Sequence, residues 1–155
     1  MLRDIPEFYD KSTRTFLGYT EEAFEFCKSL VLTASVTTLY TRSLRTLWNP
    51  LDFYVYILSA ETSDHIMRVA IEAWNDREKT WHEWAFGPYA ALFFEDVDTA
   101  SGLYRMYRLE TTPKMMRFKL VGTNLSGAET FTVTIAGDLY VLRSRGSPVI
   151  ALMEQ

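Results

Sequence analysis

The sequence holds one cysteine and two histidines. Cys27 therefore closes no disulfide within the chain, and His65 and His82 lie too far from it in sequence for any zinc-binding spacing. There is no glycine-rich phosphate loop, no Gly-x-Ser-x-Gly elbow and no dinucleotide fingerprint. No apolar run is long enough to span a bilayer, and Met1 to Pro6 lacks the apolar stretch of a secretory signal. The expectation is a chain made in a cytoplasm-like compartment, or assembled there, with no membrane contact. Positive charge is also short: 16 basic residues face 20 acidic ones, and the net charge of −4 argues against nucleic acid, whose phosphates need a basic face. No internal repeat or low-complexity tract occurs.

What the chain has is enough apolar material for one core. Its 155 residues fit one domain and are too few for two well-packed ones. Hydrophobic residues at 48% and charged residues at 23% place it among globular chains. Aromatic residues are in surplus, with 4 Trp, 9 Tyr and 10 Phe. Such a surplus fits either an aromatic-rich core or rings set aside for subunit contacts or sugar stacking.

From Leu30 onward, short runs of Val, Ile, Thr, Tyr and Phe are separated by turn residues, the pattern of an all-β sandwich. Phe131, Val133 and Ile135 alternate with Thr130, Thr132 and Thr134, and Met116, Phe118 and Leu120 alternate with Arg117 and Lys119. Between these runs, Gly122 to Gly127 has hairpin-loop chemistry, which predicts that the two strands are antiparallel neighbours. Phe53 to Leu58 is apolar on both sides and predicts a strand buried on both faces. Val69 to Trp74, Trp81 to Trp84, Leu32 to Tyr40, Tyr89 to Phe94, Leu103 to Glu110 and Asp138 to Arg143 complete a single antiparallel β-sandwich, jelly-roll-like, of about eight strands. Trp81 and Phe118 are expected as core anchors beside Phe131, Val133 and Ile135.

The ends differ from this middle. Thr20 to Phe26 suits a short helix, with Thr20 as N-cap and acids in its first turn, and Arg3 to Phe16 suits an arm. Gly146-Ser147-Pro148 breaks the last strand and releases Val149 to Met153, an apolar segment that needs cover. The expected organisation is an arm and short helix over 1–28, a β-sandwich over 29–145 and an apolar tail over 146–155.

Candidate chemistry is sparse. His82 and Glu83 are adjacent in a strand and point to opposite faces, so a direct catalytic pair is not expected. Asp96 to Gly102 offers alternating carboxylates to a hard cation, but Ala100, Ser101 and Tyr107 stand where an EF-hand needs a ligand, a glycine and the closing glutamate. Paired carboxylates for glycoside hydrolysis leave no local motif. The expectation is a non-enzyme with no catalytic, metal or cofactor-binding residues and no cofactor. Charge is uneven: Glu61 to Asp98 holds nine acidic and three basic residues, whereas Leu103 to Lys119 holds five basic residues and one acidic. Either neighbouring strands pair these charges, or copies of the chain do.

Val69 to Asp76, Thr80-Trp81, Met116 to Asn124 and Phe131 to Ile135 together make a layout. A strand ends in an acidic turn, a Trp opens the next, and a late Arg-aromatic strand leads through a Gly-bounded loop into a Thr/Val strand. This resembles small β-sandwich virion structural proteins of tailed phages, head decoration or tail-associated, over about half the chain. Trp74, and the absence of glycine from Asp76 to Lys79, depart from that layout. The resemblance implies a virion component assembled in a host cytoplasm. Its partners would be its own copies, for example as a trimer, and a capsid or tail protein. Phe8, Tyr9, Phe16, Arg105, Arg108, Val149, Ile150, Leu152 and Met153 are the expected contact residues. The alternative is a carbohydrate-binding or adhesion module that uses exposed aromatic residues.

Overall fold

The computed structural model describes residues 9–10, 15–16, 18–59, 66–85, 91–95, 102–123, 125 and 129–143, and every regular element among them is a strand. β1 (Tyr9–Asp10) and β2 (Thr15–Phe16) pair with each other. The sandwich follows as β3 (Gly18–Thr33), β4 (Thr38–Tyr40), β5 (Leu51–Ser59), β6 (Ile66–Asn75), β7 (Thr80–Trp84), β8 (Leu92–Glu95), β9 (Leu103–Leu109), β10 (Met116–Thr123) and β11 (Thr130–Arg143). One antiparallel sheet has the order β3-β11-β5-β9. The other runs β4-β10-β6, with β7 and β8 end to end along the far side of β6. Apart from β6, β7 and β8, each successive strand crosses to the opposite sheet. That is jelly-roll connectivity, with β7 and β8 sharing one strand position.

Alternation in sequence decides which side chains enter the space between the sheets. Phe53, Val55 and Ile57 of β5, Phe131, Val133 and Ile135 of β11, Val69 and Ile71 of β6, and Met116, Phe118 and Leu120 of β10 are all buried. Phe118 sits at the centre. Its ring meets Phe26 edge-on at 4.8 Å and Phe53 at 5.1 Å, so one residue of β10 packs on both β3 and β5 of the facing sheet. Its backbone N–H donates to Thr41 Oγ1 at 2.9 Å. No buried side-chain nitrogen or oxygen among the described residues lacks a partner.

The jelly-roll sandwich expected from the sequence is present, and four local expectations are corrected. Thr20 to Phe26 is strand, not helix. Glu22, Phe24 and Phe26 alternate with the more exposed Glu21, Ala23 and Glu25, and pairing along β11 from Gly18 to Thr33 outweighs the local capping signal. Register shifts around Ile135 accommodate Phe26 and Ser29 as extra residues, with Ser29 at φ 53°. β10 and β11 are not neighbours: the Gly122 to Gly127 connection carries the chain from one sheet to the other. β5 is buried on one face, while Tyr54, Tyr56 and Leu58 form part of the outer surface. Trp81 is also outside the core. It pairs with Trp74, whose parity is opposite to that of buried Ile71.

Candidate functional site

His82 is exposed; its Nε2 lies 2.8 Å from Thr80 Oγ1 and 3.1 Å from Glu78 Oε2. Glu83 points away and pairs with Arg68 at 2.8 Å, which holds its carboxyl below the usual range. His82 and Glu83 therefore do not act together. His65 and Asp96 to Ser101 lie outside the described residues. Among the described residues no cluster of three or more His, Cys, Asp or Glu is arranged to hold a metal ion. Burial pushes the Cys27 thiol up to about 11, leaving it protonated near neutrality.

The basic segment spends most of its charge inside the chain. Arg117 Nε donates to buried Glu72 at 2.8 Å, and the guanidinium lies between the rings of Tyr40 and Trp81, at 4.1 and 4.3 Å from their centres. Lys114 reaches Asp76 at 3.1 Å. Arg108 donates through Nε and Nη2 to the two oxygens of Asp52, at 2.6 and 3.1 Å. Arg105 projects from the core-facing side of the edge strand β9, 5.3 Å from the Phe94 ring centre. Pairing across neighbouring strands thus accounts for much of the charge asymmetry. Of the other expected contact residues, Tyr9 and Phe16 lie on β1 and β2. Phe8, Val149, Ile150, Leu152 and Met153 lie outside the described residues.

Two further surfaces carry no local signal in the sequence. The first is the turn Thr46-Leu47-Trp48-Asn49, closed by Asn49 N–H to Thr46 O at 3.0 Å. Leu47 and Trp48 have φ of 48° and 62°, a left-handed pair that normally calls for Asn-Gly. Their side chains are nonetheless 42% and 61% exposed. The loop opposite holds the turn in place: Leu47 N–H donates to Lys114 O at 2.9 Å, Thr46 Oγ1 to Pro113 O at 2.6 Å and Thr112 Oγ1 to Asn49 O at 2.8 Å.

The second surface lies on the outer face of β3-β11-β5-β9. Tyr54 stacks on Tyr104 with ring centres 5.1 Å apart, and Met106, directly across from Tyr54, is 65% exposed. On the β11 side the residue opposite Tyr54 is only Ala136. A depression of about 380 Å³ opens there, bordered by Tyr54 and Met106 and by Ala23 across β11, with the carboxylates of Glu25, Asp52 and Asp138 around it. Gly137 belongs to its lining; a Cβ there would come within 2.7 Å of Phe53 Cα, so the strands approach too closely for any side chain. Asp52 is engaged by Arg108 and by the Tyr140 hydroxyl at 2.7 Å. Burial, and then this bond, pushes Tyr140 up to about 12. Sequence could have pointed here only through the run of small residues on β11 beside the tyrosines of β5.

The chain matches no protein-family model and no curated protein. Solved structures similar to it include viral capsid proteins and carbohydrate-binding modules. Against the VP2 subviral particle of infectious bursal disease virus, 81% of the chain aligns at 9% identity with a TM-score of 0.53. The chain spans only 35% of that VP2 chain. A carbohydrate-binding module specific for non-crystalline cellulose aligns over 83% of this chain and 80% of its own, at 10% identity and a TM-score of 0.43. A module from a multidomain xylanase of the Trinervitermes trinervoides hindgut metagenome aligns over 77% and 96%, at 9% identity and a TM-score of 0.42. The VP2 likeness shows a shared fold and nothing further.

Proposed function

We propose that this chain is a non-enzymatic virion structural protein that associates with its own copies and binds a capsid or tail surface, as decoration and cement proteins of tailed phages do. On this reading it resides in the virion after assembly in a host cytoplasm. The observation that carries it is the Leu47-Trp48 turn. Left-handed backbone costs about 1–2 kcal/mol for each bulky residue, and these two exposed side chains return little of that in core packing. Strain that is kept in place by surrounding hydrogen bonds while it presents an exposed Trp is the mark of a contact anchor. The expected contact is with another copy.

The test separates strain from contact. Leu47→Asn with Trp48→Gly supplies the residues this turn prefers, so the fold should gain about 1 kcal/mol, after allowing for the unfolded-state entropy of the new glycine. The oligomer mass in sedimentation should fall at the same time. A wild-type chain that stays monomeric, or a double variant that assembles as before, defeats the proposal. A second reading, a carbohydrate-binding or adhesion module, is favoured by the depression beside Tyr54 on the outer face of β3-β11-β5-β9.

A further inference from the structure

We infer that the depression beside Tyr54 is a binding subsite for a neutral glycan, an inference that rests on the second reading above and is independent of the assembly turn. Its lining pairs two chemistries. Tyr54 and Met106 give an apolar wall, and Tyr104 stacked behind Tyr54 restrains the ring. Beside the small Ala136, Glu25 and Asp138 bring carboxylates that can accept hydrogen bonds. A sugar ring has the complementary arrangement, with a C–H face that packs on an aromatic surface and rim hydroxyls that donate to acceptors. Carboxylate acceptors form strong hydrogen bonds with hydroxyl donors.

Size and charge narrow the class. A volume of about 380 Å³ is at the small end of ligand sites and suits one or two sugar rings. Asp52 is matched by Arg108, and the Arg42 guanidinium donates to the Glu25 carbonyl at 2.6 Å, so Glu25, Asp52 and Asp138 together outweigh the cations beside them. This net negative charge disfavours uronic-acid and sulfated chains relative to neutral ones. Asp52, also in the lining, is held by hydrogen bonds from Arg108 and Tyr140. The floor is small for a physical reason. Ala136 and Ala23 leave the rings of β5 open on the β11 side, and any larger residue at 136 would fill the space.

The experiment is native affinity electrophoresis of the full chain in gels containing galactomannan, mixed-linkage β-glucan or dextran as neutral probes, with polygalacturonate as the acidic one. Retardation by at least one neutral probe and none by polygalacturonate is expected. Tyr54→Ala and Asp138→Lys should each weaken binding tenfold or more, while Tyr40→Ala on the other sheet and the Leu47→Asn/Trp48→Gly variant should bind as wild type. Near-ultraviolet circular dichroism reports whether each variant is folded, and Asp138→Lys, on a half-exposed outer position, keeps the test open should Tyr54→Ala unfold. Retardation that survives both site variants overturns this site while leaving a glycan-binding function standing. No retardation of the wild type by any neutral probe, or retardation by polygalacturonate alone, overturns both.

Discussion

Replacing Phe118 with alanine removes a ring that packs on both Phe26 and Phe53 across the sandwich. Phe118 is fully buried, so the transfer part of the loss is about 2 kcal/mol for a large apolar side chain. A cavity of about 100 Å³, if the walls do not close, adds about 2.4 kcal/mol at about 24 cal/mol per Å³. The walls belong to two hydrogen-bonded sheets, with Phe26 on β3, Phe53 on β5 and Ile71 across the β10–β6 ladder, so collapse is limited. The expected destabilisation is about 3–5 kcal/mol. Urea unfolding followed by circular dichroism should show a midpoint lower by about 2 M at an unchanged slope, taking a slope of about 2 kcal/mol per M. Trp81→Ala is the matched control, because that ring lies outside and contributes mainly its contacts with Arg117 and Trp74. Its loss should be about 1 kcal/mol. A loss below about 1 kcal/mol for Phe118→Ala, or equal losses for the two, would refute this account of the core.

Three further outcomes are expected. Tyr140 is raised from 10.0 to about 12, so the folded chain keeps a proton that the unfolded chain releases, and stability falls as pH rises from 10 towards 12 while nothing is lost below 10. Phenolate absorbance should show one tyrosine titrating late, and Asp52→Asn should bring it down; no late tyrosine would remove the Asp52–Tyr140 link. Exchanging Arg105 and Arg108 for Glu sets a carboxylate against Asp52 and should cost about 1 kcal/mol in thermal unfolding, with the oligomer mass unchanged if the charges pair within the chain. A loss of mass would place them between copies instead. Deleting Gly146 to Gln155 should lower the oligomer mass or the melting temperature, and a variant unaltered in both would show that Val149 to Met153 needs no cover.

The fold class was legible because strand periodicity is a local property. Phe131, Val133 and Ile135 must share one face of an extended chain whatever lies opposite, and all three face the core. Pairing was not local. The Gly122 to Gly127 loop has the composition of a hairpin, yet it joins two sheets, because β6 and β4 flank β10 while β3 and β5 flank β11. Thr20 to Phe26 carries a helix start signal, and a ladder with β11 more than a hundred residues away overrides it. Trp81 shows the limit most simply: alternation says which residues share a face, but only the pairing of β7 with β6 decides that its face is the outer one. The depression beside Tyr54 and the pairing of Arg108 with Asp52 depend on strands that meet only through long-range register. A sequence sets which side chains alternate, and the tertiary structure decides which of them meet, because backbone hydrogen bonds between strands are indifferent to distance along the chain.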